Sequence, residues 1–325
     1  MYPPFLLPLH RPNSPPPPCH HAQFVHNGGL GSSHALWWPP SQDNMDPDIL
    51  LYFLPGNPGL VDFYIPFLSG LYDRYSSSNL AIVGRGHLGH CPQIQDNPRH
   101  HSEESLTIQI QTSLEVLDAI STFYAKTRIV VIGHSVGAWL ALQALEKRPK
   151  AILAVFLLFP TLSNIASTPN GRLLTPFFSP LGRQVLSSLA GLAKYLPESL
   201  LAFFFSHWPK QQLGVLREFI SSPQSVHASL SMAHEEMKTI QDLDQALIEQ
   251  HSNKLFFFYA ETDGWVGKEK ANFLSRFDPN NQSTNVTHGP VDVPHAFCIN
   301  HSDLLAHHCH EWLFYLEKQI GSDAP

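Results

Sequence analysis

A chain of 325 residues, 43% of them hydrophobic, can form one large domain with an insertion or two ordinary domains, each with a sizeable core. Its formal net charge of −7 excludes the basic footprint of a nucleic-acid binder. Cys19, Cys91, Cys298 and Cys309 form no CxxC pair and are expected as reduced thiols of an intracellular protein.

Residues 1–45 are rich in Pro, His, Gly and Ser, and Pro15 to Pro18 carries a polyproline II signal. Such a segment has little apolar area to bury and is expected to be a disordered extension. Its apolar residues lack a basic n-region, so no signal peptide is expected. Asn281-Gln282-Ser283 and Asn285-Val286-Thr287 match glycosylation acceptors, which matter only in a secretory lumen. The 20 histidines include His20-His21, His100-His101 and His307-His308-Cys309-His310. No pair of clusters has zinc-finger spacing and no HExxH occurs, so no metal is expected and these histidines are read as solvated surface residues.

The ordered domain is expected over 46–325. Ile49-Leu50-Leu51-Tyr52-Phe53-Leu54 is a continuous apolar run ended by Pro55-Gly56, the pattern of a strand covered on both faces. Leu80–Val83 is a weaker second run. Ser105–Lys126 shows helical periodicity through Leu106, Ile110, Leu114, Leu117 and Ile120. Arg128–Ile132 and Ala151–Phe159 predict further strands, with a helix over Ser135–Arg148 between them. Residues 161–250 hold helical segments, several prolines and no clear buried strand. Leu255–Tyr259 restores the strand pattern, Lys268–Arg276 reads as helix, Asn285–Thr287 as a last short strand and Ser302–Lys318 as a final helix. Strands alternating with helices predict an α/β fold: a mostly parallel sheet flanked by helices, with a helical insertion of about 90 residues. No apolar run reaches the roughly 20 residues of a membrane span.

Gly133-His134-Ser135-Val136-Gly137 is a GxSxG motif set between the strand Ile129–Ile132 and a helix. That is the context of the nucleophile elbow of an α/β-hydrolase, in which Gly133 and Gly137 let strand and helix approach closely. Ser135 is then the candidate nucleophile, and its hydroxyl needs a base held by an acid. The chain order of this fold is Ser, acid, His. Asp263, a few residues beyond the strand Leu255–Tyr259, is the candidate acid, with Glu261 as rival. His295, between the last strand and last helix, is the candidate base. The oxyanion hole would combine the Val136 amide with one from Pro55-Gly56-Asn57-Pro58-Gly59; Asn57 is the first choice and Gly59 the second. Gly84–His90 contains neither GxGxxG nor GKS/T, so it predicts a loop near the active-site mouth rather than a nucleotide site. The chemistry of such a triad calls for no cofactor.

Several further blocks resemble the lipid droplet-associated hydrolases. They are Leu54–Leu60 with Phe63–Phe67, Gly86–His90, Ile132–Ala138, Phe156–Thr161, Ser167–Arg172, Asp263–Trp265 and Pro294–Phe297, spanning about residues 49–300. The resemblance implies a serine hydrolase at lipid droplets and the endoplasmic reticulum, on the cytosolic face, with sterol-ester or neutral-lipid substrates. It also implies Ser135, Asp263 and His295 as the triad. An alternative is a droplet surface protein that keeps the fold but acts mainly by binding lipid or partners.

The most lipid-like stretch is Leu173–Trp208, with Phe177-Phe178, Leu200-Leu201 and Phe203-Phe204-Phe205. Pro176, Pro180 and Pro197 divide it into pieces too short to span a bilayer. Helices lying in the interface fit, with Phe203, Phe204 and Phe205 as membrane contacts and Arg183, Lys194 and His207-Trp208 near headgroups. A cap packed on the core fits the same pattern; the resemblance favours lipid contact.

Overall fold

The computed structural model describes residues 1–11, 16–42, 45–75, 79–94, 105–278, 283 and 285–322. The His100-His101 doublet and the acceptor Asn281 lie outside them. The strands are β1 (Leu7–Pro8), β2 (His20–Val25), β3 (Ser32–Trp38), β4 (Ile49–Leu54), β5 (Leu80–Arg85), β6 (Arg128–His134), β7 (Ile152–Leu158), β8 (Leu255–Tyr259) and β9 (Val286–His288). They form one sheet in the order β1-β2-β3-β5-β4-β6-β7-β8-β9. From β5 to β9 every pairing is parallel. The three strands at the other edge are antiparallel.

The central strands read as unbroken apolar runs because side chains alternate between two cores. Leu50, Tyr52 and Leu54 of β4 enter one core, while Ile49, Leu51 and Phe53 enter the other. Two helices, α1 (Ile65–Arg74) and, at the end of the chain, residues 302–322, cover the second face through Phe67, Leu68, Leu305 and Leu313. On the first face lie α2 (Ser105–Phe123) and α3 (Val136–Lys147).

Between β7 and β8 the chain makes α4 (Pro169–Leu174), α5 (Pro180–Ala193), α6 (Glu198–Phe204), α7 (Lys210–Ile220), α8 (Pro223–Thr239) and α9 (Gln245–Gln250); α10 (Glu269–Phe277) and α11 (Ser302–Ser322) follow. Several prolines start helices here. Thr168, Ser179 and Ser222 each cap the amide three residues on, and the following proline occupies the first helical position, where its missing N–H costs nothing. Among the described residues no helix is long and apolar enough to cross a membrane.

The expectation of a disordered extension over 1–45 is corrected. β2 and β3 continue the main sheet, so its boundary does not lie at residue 46. Every residue of β3 is buried, with Trp37 in one core and Trp38 in the other. The strand was hidden by its polar content, and those polar groups are paired rather than solvated: His26 bonds Ser33 Oγ at 2.9 Å and Glu115 at 2.9 Å, and His21 bonds His34 at 3.0 Å. The reading of the clustered histidines as surface residues is corrected at His21, which is buried, while His20 and His307 are exposed; His26, His34, His87, His90 and His134, outside those clusters, are buried as well. All four cysteines are free and buried.

Candidate active site

β6 ends at His134 and α3 begins at Val136, leaving Ser135 at the corner with φ 56° and ψ −123°. A non-glycine residue in this region is strained and is held there by its surroundings. The flanking glycines are why the corner closes. A Cβ on Gly133 would lie 2.3 Å from the Gly137 carbonyl oxygen, and one on Gly137 would lie 2.2 Å from that of Leu54.

The structure brings Ser135, His295 and Asp263 into one hydrogen-bonded chain. His295 Nε2 lies 2.9 Å from Ser135 Oγ, and His295 Nδ1 lies 2.7 Å from Asp263 Oδ2. With Nδ1–H donating to the carboxylate, Nε2 is left to accept the serine proton. Asp263 Oδ1 accepts from the Trp265 amide at 2.8 Å. Burial opposes ionisation of Asp263, but His295 and the amides of Trp265 and Val266 outweigh it and hold the carboxyl below its ordinary range. Glu261, the rival acid, is exposed. The acid turn rests on α4: the Asn170 amide donates to the Gly264 carbonyl at 2.9 Å.

Asn57 faces the same cavity as Ser135 and His295. Its Nδ2 donates to the Ser229 carbonyl and to Glu236 Oε1, both at 2.9 Å, so its side chain is tied to α8. The backbone amides of Asn57 and Val136 have no acceptor among the described residues, whereas the Gly59 amide already donates to the Gly56 carbonyl at 2.8 Å. The Gly86–His90 loop braces this turn: the His87 amide donates to the Gly59 carbonyl at 2.9 Å, and His90 Nδ1 bonds the Pro58 carbonyl at 2.7 Å.

Residues the sequence did not single out complete the setting. The Gly56 amide donates to Tyr64 Oη at 3.1 Å, and Tyr64 Oη bonds His134 Nδ1 at 2.7 Å. His134 Nε2 bonds the His295 carbonyl at 2.9 Å. Burial first, and then the neighbouring His295, push the His134 imidazole down to about 3, so it is neutral. The tautomer follows: Tyr64 donates to Nδ1, and Nε2–H donates to the carbonyl. One network thus ties together the turn before Asn57, the residue before Ser135 and the backbone of His295. Tyr64 and His134 stand inside distinctive sequence blocks, but only their meeting across 70 positions shows what they do.

The cavity has a volume of about 480 Å³, and its walls include Leu174, Phe178, Leu186, Ala190, Ala193 and Trp265. Most of that wall comes from the insertion. The outer side of the same segment is also apolar: Leu181, Val185, Leu189 and Leu192 of α5 and Phe203 and Phe204 of α6 are exposed. Phe205 departs from expectation. It is half-buried, with its ring 5.0 Å from that of Trp208, which packs in turn on Phe63. Arg183 is likewise turned inward and donates to Ser231 Oγ at 3.0 Å, whereas Lys194 is exposed.

Among the described residues one group has metal-ligand character, the buried cluster of His21, His34 and Asp62. Arg11 pairs with Asp62 there and supplies the positive charge. None of these three lines the cavity at Ser135.

A family model described as lipid-droplet associated hydrolase matches residues 47–298. The chain is 25% identical over 314 residues to the lipid droplet-associated hydrolase of Rattus norvegicus, covering 90% of this chain and 94% of the relative. It is 28% identical over 304 residues to that of Drosophila melanogaster, covering 87% and 94%. Among solved structures, a haloalkane dehalogenase loop variant from Bradyrhizobium elkanii aligns with a TM-score of 0.65 at 11% identity, covering 94% of this chain and 99% of that one. At that identity the likeness speaks for the fold alone, and the fold is that of the α/β-hydrolases.

Proposed function

The chain belongs to the lipid-droplet associated hydrolase family, and from that premise we propose that it is a serine hydrolase of lipid esters, sterol esters or neutral lipids among them. The observation that carries this is the Ser135–His295–Asp263 chain of hydrogen bonds opening into an apolar cavity. Ser135 Oγ attacks the ester carbonyl while His295 Nε2 takes its proton. The amides of Val136 and Asn57 receive the negative charge that develops on the carbonyl oxygen. His295 then returns the proton to the departing alcohol, leaving an acyl group on Ser135. A water molecule, deprotonated by His295, cleaves that acyl-enzyme and restores the serine. Asp263 holds the imidazole in the required tautomer and balances its charge in both steps. Besides the attacking water, these steps use side chains and amides of this chain.

The exposed apolar side chains of α5 and α6 support attachment to a lipid surface; we read that surface as a droplet, with the endoplasmic reticulum as a second one, met from the cytosolic side. The insertion then presents one face to the lipid surface and the other to the cavity. The same surface would serve a protein that acts mainly by binding droplets. Labelling by a fluorophosphonate, read together with turnover of a lipid ester, separates the two readings. The wild-type protein should label and Ser135→Ala should not, with thermal stability unchanged. Equal labelling of both would remove Ser135 as nucleophile. Labelling without turnover of any lipid ester would favour the binding role.

A further inference from the structure

We propose that the cavity carries a subsite for a free hydroxyl of the substrate, built on Glu236, and that the preferred substrate is an ester of a polyol that keeps an unesterified hydroxyl, such as a partial acylglycerol. This deepens the serine-hydrolase reading above and rests on it.

Glu236 lies on α8, in the insertion, and is 6% exposed. It lines the same cavity as Ser135 and His295, among Leu230, Ala233, Met237 and Trp265. Its Oε1 accepts one hydrogen bond, from Asn57 Nδ2 at 2.9 Å. Its Oε2 makes no hydrogen bond to another described residue and, unlike Thr161 Oγ1, is not among the fully enclosed unpaired atoms, so a ligand atom can reach it. No cation among the described residues faces the carboxyl; burial pushes it up to about 7, and the Asn57 bond only partly offsets that. A carboxyl in an apolar pocket with one oxygen free of protein partners is least costly when a hydroxyl, from water or from a ligand, meets that oxygen. A hydroxyl suits both states of the group, since it donates to a carboxylate and also accepts from a carboxylic acid.

The position sets which hydroxyl. Asn57 offers its backbone amide to the oxyanion and its side chain to Glu236, so Glu236 sits one side chain away from the scissile carbonyl. A second polar group lies close to the nucleophile. Thr161 is 3% exposed and lines the cavity, its amide approaches the Ser135 carbonyl at 3.5 Å, and its Oγ1 has no partner. A substrate without a hydroxyl would take the place of water and leave Glu236 Oε2 unpaired in the complex, beside the already unpaired Thr161 Oγ1, and the site therefore discriminates against it.

The test uses the full chain and two soluble esters of matched size, glycerol 1-monobutyrate and n-propyl butyrate, which differ only in two hydroxyls. A cavity with apolar recognition alone favours propyl butyrate, because the glyceryl ester must shed water from its hydroxyls. The hydroxyl subsite reverses this, and wild-type kcat/KM should be about tenfold or more higher for the glyceryl ester. Glu236→Leu should lower that ratio by about tenfold, whatever it does to both rates through Asn57. Thr161→Val, a smaller change that keeps the backbone contact, should lower the ratio in the same direction. A wild-type ratio at or below one overturns the proposal. So does a parallel fall on both esters with the ratio unchanged, which would make Glu236 a prop for Asn57 and nothing more. If neither ester is hydrolysed and Ser135 does not label with a fluorophosphonate, the hydrolase reading itself falls.

Discussion

Replacing Phe203 and Phe204 together by serine separates attachment to lipid from catalysis. The two side chains are 76% and 70% exposed on α6, while Leu201 on the inner side of that short helix is buried and keeps it docked. Full burial of a phenylalanine yields about 1.5–3 kcal/mol, so the exposed part of each ring offers about 1–2 kcal/mol to a lipid surface. Losing both removes about 2–4 kcal/mol, a fall of roughly 30- to 1,000-fold in the partition coefficient. The fold should hardly notice, since substitutions at exposed positions usually stay within about 0.5 kcal/mol. Flotation with phospholipid-coated triacylglycerol droplets reads the partitioning, a thermal melt reads the fold, and propyl butyrate hydrolysis reads the triad. Droplet binding should drop while the other two stay put. Undiminished flotation would refute the assignment of this surface, and a large fall in melting temperature would show that the rings belong to the packed cap. Phe205 is left out of the variant because its contact with Trp208 makes it part of the fold.

Asp263→Asn should cost about 10⁴-fold in kcat, as loss of the orienting acid does in a comparable triad, while Glu261→Gln on the exposed rim stays near wild type; the reverse ranking would move the acid to Glu261. Glu236→Gln should change the pH dependence of stability. Because burial raises the folded-state value of Glu236 to about 7, its stabilising protonated form is fully present below the ordinary value of 4.5 and is lost as pH rises through 7. The variant should therefore gain on wild type by on the order of 1–3 kcal/mol at pH 8 and not at pH 4.5, and parallel urea curves at both pH values would refute this. Trp38→Ala should destabilise by about 3–5 kcal/mol, and removal of residues 1–45 should cost more still; a deletion variant that melts like the full chain would show that β2 and β3 are dispensable. Tyr64→Phe should lower kcat more than it raises KM, because it unties His134 from the turn before Asn57; a change confined to KM would refute a positioning role.

The sequence by itself determined the central architecture and the three polar residues that meet at Ser135. Strands such as Ile49–Leu54 and Ile129–Ile132 are legible because both faces are covered, which leaves an unbroken apolar run in the chain. Gly133 and Gly137 are legible because no other residue clears the backbone opposite them, and Asp263 and His295 because chain order in this fold constrains where a candidate acid and base fall. What only the tertiary structure decided are features whose cause lies far away in sequence. β3 carries Ser33 and His34 among its apolar residues, and only their partners, His21 on β2 for His34 and His26 just beyond it, itself held by Glu115 of α2, for Ser33, make burying them possible. Phe203, Phe204 and Phe205 are identical letters in a row, yet helix phase and the position of Trp208 leave two exposed and draw the third inward. Glu236 is one of several acids on helices of the insertion, and nothing local marks it; the fold of α8 over the turn at Asn57 is what buries it and makes it a wall of the cavity at Ser135. Periodicity and turn chemistry are local and survive in the chain, whereas burial of a polar group depends on which distant segment closes over it.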